Sequence, residues 1–163
     1  MEIRKAETKD INAILNLLKQ VNLIHHNGRP DIFNIGTKYT YEQLVEIIDD
    51  DNCSILVAND NGKIKGYAFC IYQENKNDNI LTDIKTLYLD DLCVDENYRG
   101  KHIGKKLYDA VLELAKEKHC YNVTLNVWHL NESALKFYEK CGMKPLKLSL
   151  IHISEPTRPL YIS

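Results

Sequence analysis

Short runs in which apolar and polar residues alternate take turns with stretches whose apolar residues recur every three or four positions. The alternating runs predict strands and the longer period predicts amphipathic helices. Ile3 to Ala6 reads as a first strand. Thr8 has the chemistry of an N-cap, and Ile11, Ile14, Leu15, Leu18 and Val21 mark one face of the helix behind it. The stretch 24–40 holds Gly28, Pro30 and Gly36 without a sustained period and reads mostly as a loop. Thr40 and Gln43 form a capping-box pattern that opens a second short helix through Ile48. Asp49, Asp50 and Asp51 oppose a helix C-terminal dipole and are expected outside that helix.

Two β-rich runs then flank Asn61-Gly62, the strongest hairpin signal in the chain. A polar loop precedes the run TLYLDDLCV, a further strand that ends at Val94. A long helix is expected from Ile103 to about Lys118, with Ile103, Leu107, Ala110, Val111 and Leu114 on its core face. The run 122–128 reads as another strand, 131–140 as a short helix, and Gly142 as its stop. The predicted order is therefore βααβββαβα: a mixed α/β fold, antiparallel in its first half, with no internal repeat or linker.

Composition narrows the function classes. The chain has 163 residues, 21 Lys+Arg against 23 Asp+Glu and a net charge of −2. That balance makes no case for nucleic acid or an anionic membrane as partner. No apolar run reaches the ~18 residues of a membrane span, and the N-terminal residues lack the apolar core of a signal peptide. The 5 cysteines are widely spaced with no C-x-x-C, which suggests reduced thiols and a cytoplasmic location. The 6 histidines are scattered and no Cys/His spacing fits zinc, so no metal is expected.

Candidate chemistry concentrates where the strand ending at Val94 meets the helix starting at Ile103. Free N–H groups at a helix start form an anion site, and Gly100 and Gly104 permit close backbone approach. Arg99, Lys101 and Lys105 add positive charge, so the turn suits a pyrophosphate. Its spacing is neither that of a Walker A loop nor G-x-G-x-x-G.

Arg99-Gly100-Lys101-His102-Ile103-Gly104 resembles the Q/R-x-x-G-x-G/A motif of the GCN5-related N-acetyltransferases, with His102 where the family usually has its middle glycine. Further on, NVWHLNESALKFYEKCGMKP resembles the second signature of the same family. The resemblance covers roughly Glu2 to Pro145. It implies a twisted, mostly antiparallel sheet flanked by helices, with central strands splayed apart, and acetyl-CoA as co-substrate. Residue by residue it implies backbone contacts from Leu92, Cys93 and Val94 to the pantetheine arm. Backbone N–H groups from Arg99 through Gly100, Lys101, His102, Ile103 and Gly104 to Lys105 would hold the pyrophosphate. Asn131 would bond the pantetheine and also has N-cap chemistry; Tyr138 matches the residue that protonates the departing thiolate.

For the base, the run around Asp90 resembles that of the family's polyamine acetyltransferases; a solvated strand-edge charge is the other reading. Period-two alternation places Asp91 on the opposite strand face. His25, His26 and Arg29, with Asp91 and Trp128, are the candidate acceptor contacts. Asn126 stands where peptide-acetylating members often carry glutamate, and it is unable to act as a base. The implied function is acetylation of a primary amine on a polyamine, amino acid or amino sugar. The alternatives are an acyl-CoA-binding sensor or interaction module, or a protein N-acetyltransferase. The expected partners are acetyl-CoA and an amine, with a homodimer left open.

The end of the chain stands apart. LSLIHISEPTR resembles the translation of a transposon mosaic-end adapter used in sequencing libraries. Residues 1–147 are thus expected to form a single acetyltransferase domain. Residues 148–163 are expected to be a non-native tail, whose alternation stands in for the family's last strand.

Overall fold

The computed structural model of the protein describes residues 1–154. Two compact units emerge: Met1–Val21 with Thr37–Asn126, and Asn22–Gly36 with the chain from Val127 on. The first unit holds a five-stranded sheet in the order β1-β2-β3-β4-β5. Its strands are β1 (Glu2–Lys5), β2 (Cys53–Asp60), β3 (Lys63–Glu74), β4 (Lys85–Val94) and β5 (Asn122–Thr124). The pairs β1–β2, β2–β3 and β3–β4 are antiparallel, and β4–β5 is parallel. The predicted hairpin closes through Asn61 (φ 52°) and Gly62 (φ 85°), both left-handed, as a two-residue turn matched to strand twist requires.

β5 is far shorter than the expected strand 122–128. Its ladder runs only from Thr86↔Asn122 to Tyr88↔Thr124. The alternation of Val123, Leu125 and Val127 predicts a longer strand than the ladder carries, since pairing ends at Thr124. Beyond Tyr88, β4 continues to Val94 with β3 as its only ladder partner among the described residues, so β4 and β5 part at mid-sheet.

One sheet face is covered by α1 (Ile11–Gly28) and α2 (Tyr41–Asp49). Ile11, Ile14, Leu17, Leu18 and Leu44 form a buried cluster there with Ile55, Val57, Tyr67, Phe69 and Cys93. The predicted capping box of α2 is present: Gln43 N–H donates to Thr40 Oγ1 at 3.2 Å, and Thr40 N–H to Gln43 Oε1 at 2.8 Å. The other face takes α3 (Ile103–Glu117), which buries Ile103, Leu107, Tyr108 and Val111. Gly66 makes that fit possible, since a Cβ there would lie 2.8 Å from the Cys93 carbonyl and 3.0 Å from Leu107.

The second unit contains the end of α1, the loop after it, and α4 (Glu132–Lys140). α1 continues through His25 and His26 to Gly28, where a loop is expected from the sequence. Nothing in 24–28 forbids helix; the stop is Pro30, which disfavours helical geometry at Arg29. Arg29 N–H still bonds the His25 carbonyl at 2.8 Å, and the chain then turns with Phe33 N–H on Arg29 O. After Lys147 no strand forms as far as Ser154, and Leu148, Leu150 and Ile151 are exposed. The remainder of the 148–163 tail lies outside the described residues.

The join between β1 and α1 depends on one carboxylate. Asp10 accepts from Arg4 Nη1 at 2.7 Å, from Arg4 Nη2 at 3.0 Å and from Glu7 N–H at 2.8 Å. The cap at this helix entry is thus Asp10 bonding back to Glu7, not the expected Thr8. A fork-to-fork arginine pair of this kind is strong because its geometry fixes two bonds at once. Burial pushes the Asp10 pKa up, but the Arg4 and Glu7 bonds outweigh it and hold the group below 3.8. Its contribution is full above that value and fades as pH falls through the lowered native pKa. Asp10→Asn should cost about 2 kcal/mol at neutral pH in denaturant titrations. The same variant should lose less stability than wild type between pH 4 and 2; parallel acid limbs would show that Asp10 is not the titrating group.

Candidate active site

Two neighbouring carboxylates set the character of β4. The ladder pairs Phe69 with Asp91 and Cys70 with Leu89, leaving Asp90 as an extra residue in a β-bulge. Directly paired residues share a sheet face, so Leu89 lies on the α3 face with Cys70, and Asp91 on the opposite face with Phe69. Asp90 reaches that second face too. Its Oδ2 accepts from Tyr39 Oη at 2.8 Å, and the Tyr39 ring stacks on Phe69 with 5.4 Å between centroids. Asp91 Oδ2 accepts from Tyr67 Oη at 2.6 Å, and Tyr67 packs edge-on against Phe69. The expected placement of Asp91 opposite Asp90 is therefore corrected, because the bulge resets the two-residue alternation.

The two acids differ in surroundings. Lys38 Nζ stands 2.9 Å from Asp90, whose side chain is 11% exposed. For Asp91 burial pushes the pKa up; the Tyr67 bond and the Lys38 charge oppose that, and the Asp90 charge adds to it. Asp91 thus holds a proton more readily than an ordinary carboxyl. The Tyr39 phenol is pushed well above its usual range by burial and by its bond to Asp90, so it stays a donor.

Further along β4, Leu92, Cys93 and Val94 lie beyond the last β5 pair, with no strand ladder on that side among the described residues. Cys93 is buried and its thiol is pushed up to about 12, mainly by desolvation, which makes it inert packing. The chain then passes Arg99 and Gly100 (φ 83°) to His102, which stands in the left-handed region at φ 62°. His102 is the N-cap of α3, yet its side chain makes no capping bond. The first N–H groups of an α-helix have no acceptor within the helix, so this turn presents donors suited to a phosphate. Lys101 lies 5.4 Å from the centre of the Tyr98 ring.

In the second unit His25 stacks on Phe33 at 4.9 Å, and Phe33 meets Trp128 edge-on at 4.9 Å. His26 Nδ1 lies 2.6 Å from the Phe33 carbonyl. Arg29 directs its fork at Asp31 through bonds of 2.9 and 2.8 Å, so its charge already has a carboxylate. Asn131 Oδ1 caps α4 by accepting from Ala134 N–H at 3.3 Å, as its sequence chemistry predicts. Tyr138 is buried on α4 with its ring against Phe137.

The model of the acetyltransferase (GNAT) family matches residues 19–143, more than three quarters of the sequence. The chain belongs to the GNAT family. It is similar to glucosamine 6-phosphate N-acetyltransferase of Arabidopsis thaliana, 39% identical over 59 residues, which are 36% of this chain and 38% of that protein. It also resembles thialysine N-epsilon-acetyltransferase of Bos taurus, 36% identical over 62 residues, 38% of this chain and 36% of the other. The match thus spans less than two fifths of the length of these curated relatives. Among solved structures, a tetramutant of the BH1408 protein of Bacillus halodurans superposes with a TM-score of 0.90 at 28% identity, covering 94% of this chain and all of the other.

Three residues of this GNAT chain escaped the sequence reading: Lys38, Tyr39 and Tyr67. Only Tyr67 left a trace, as an inward aromatic in a strand beside the acidic run. Lys38 and Tyr39 sit in a segment that alternation does not describe. Among the described residues no group of three metal-ligating side chains is assembled.

His102 occupies the glycine position of the GNAT motif and keeps a glycine-like conformation. A non-glycine residue there carries strain of about 1 kcal/mol. His102→Gly should bind CoA as tightly as wild type or more so in calorimetry. His102→Val should weaken both binding and stability, since β-branched residues tolerate this region poorly. A large loss of affinity in the glycine variant would mean that the imidazole itself holds the ligand.

Proposed function

We propose that the protein is an acetyl-CoA-dependent N-acetyltransferase that acylates a primary amine of a small molecule by direct transfer. The carrying observation is that one segment of chain, from Asp90 to Ile103, bears both an acidic pair on one sheet face and an uncapped helix start. The helix start suits the pyrophosphate of CoA, and the open side of β4 suits an extended pantetheine arm. The acidic pair suits an amine that arrives as an ammonium ion. Its aromatic surroundings (Tyr39, Phe69 and Tyr67) favour a cationic acceptor.

The proposed chemistry uses few groups. The Asp90 carboxylate takes a proton from the ammonium, directly or through water, leaving a neutral nitrogen with a free electron pair. That nitrogen attacks the thioester carbonyl carbon, whose oxygen is stabilised by backbone N–H near Val94. The C–S bond breaks, and the Tyr138 phenol donates its proton to the thiolate; the surplus proton of the new amide nitrogen returns to the phenolate through water, and Asp90 releases its proton to solvent. Tyr138 and Asn131 carry these roles from the resemblance of their motif; Asn131 keeps its amide N–H groups for the pantetheine while its oxygen caps α4. Holding amine and thioester together supplies much of the rate. Relatives named for glucosamine 6-phosphate and thialysine support a small-molecule amine as acceptor. The 1–147 acetyltransferase domain with a non-native 148–163 tail is likewise proposed, supported by the exposure of Leu148, Leu150 and Ile151.

Acetyl-CoA should bind in isothermal titration, and free thiol should appear when a panel of amines is added. Binding without thiol release from any amine would make the protein a sensor. Tyr138→Phe should lower turnover about tenfold or more while leaving CoA affinity nearly unchanged. Unchanged turnover would remove Tyr138 from the mechanism. Deleting 148–163 should shift stability by no more than about 0.5 kcal/mol.

A further inference from the structure

Lys38 is a primary amine held on the carboxylate that an acceptor amine must reach. Its Nζ donates to Asp90 Oδ1 at 2.9 Å and stands at the same distance from Oδ2. Tyr39 Oη donates to Oδ2 from the other flank. The Asp90 side chain is 11% exposed and that of Lys38 48% exposed, so the lysine stands on the solvent side of a mostly buried carboxylate. Its ammonium lies 5.7 Å from the centre of the Tyr39 ring. The segment carrying it is fixed locally, since Thr37 Oγ1 donates to the Tyr39 carbonyl at 2.8 Å. The contacts of this ammonium are those that a small ammonium ion would make: charge-assisted N–H donation to Asp90 beside an aromatic ring.

We propose that Lys38 is an internal substitute for the acceptor, holding the amine position on Asp90 until the ammonium of an acceptor displaces it. The proposal rests on the reading of Asp90 as the group that receives the acceptor amine. Displacement is feasible because half-exposed ion pairs are weak and a lysine head swings freely into water on its four-carbon stem. It is also selective. A tethered competitor acts at a high effective concentration, so an acceptor with one weakly held amine loses to it. An acceptor whose second group gains a contact beyond Asp90 is favoured, since Lys38 brings only one charge to that carboxylate. Lys38 is therefore a specificity-determining residue: it raises the threshold for binding without taking part in the transfer.

Putrescine, with its two ammonium groups, is a suitable probe. In calorimetry Lys38→Met should bind putrescine about fivefold more tightly than wild type. KM for putrescine in thiol-release assays should fall in parallel, with KM for acetyl-CoA unchanged. Lys38→Arg, which keeps the charge, should bind no more tightly than wild type. On an Asp90→Asn background the Lys38→Met change should have no effect, an outcome that a merely structural role for Lys38 does not require. Equal or weaker putrescine binding by Lys38→Met, or no binding by either protein, overturns the proposal. If thiol release is absent throughout, the acetyltransferase reading fails, and the calorimetric comparison still decides the role of Lys38.

Discussion

The β-bulge at Asp90 is the constraint on which the candidate site depends. Without it, alternation along β4 would send Asp91 to the α3 face with Leu89, among apolar neighbours with no hydroxyl to meet it. With it, both carboxylates face the aromatic cluster of Tyr39, Phe69 and Tyr67. Each acid has its own phenol as donor, which is how a buried carboxyl avoids the cost of an unmet acceptor. The bulge also lets one strand serve two packing problems. Up to Leu89 its buried residues fill the α3 face, and from Cys93 they fill the face of α1 and α2. A site made this way is rigid, because slipping the register by one residue would expose a whole strand of apolar side chains.

Charge reinforces that geometry. The chain carries almost no net charge, yet the acids and bases are sorted locally. Along the segment from Asp90 to Lys105 the four carboxyls (Asp90, Asp91, Asp95 and Glu96) come first, then Arg99 and Lys101 flank the turn into α3. An amine and a polyphosphate have opposite charges, and a single strand-to-helix connection offers each of them its complement. His102 fits this division: its strained backbone keeps the helix start open, and its side chain leaves the first N–H groups to others.

Much of the fold was legible because it is written in local chemistry. Asn61-Gly62 specifies a turn that few other pairs adopt, and Thr40 with Gln43 specifies a cap that is found bond for bond. Periodicity located α3 to within a residue of its end. What escaped depends on partners distant in sequence. The bulge is a mismatch between β3 and β4, visible only once the two strands are aligned. A hint was present: two adjacent acids inside an apolar strand leave one of them facing a core under strict alternation. The end of α1 was misplaced because residues 24–28 lack a sustained apolar period, although they continue the helix as far as Gly28. The length of β5 depends on where β4 stops accompanying it, which its own residues do not record. At the site, Asp90 was a candidate through the resemblance of its run, but its ion-pair partner Lys38 lies 52 residues before it, in a segment without period.

The parting of β4 and β5 after Tyr88 has a consequence for the protein in storage and in the cell. From Leu89 to Val94 a central strand has no ladder on one side among the described residues, and strands in that condition recruit other strands. A bound pantetheine arm would occupy this seam and compete with such recruitment. Colloidal stability would then follow nucleotide supply: preparations freed of acyl-CoA should form particles sooner on standing than those kept with it.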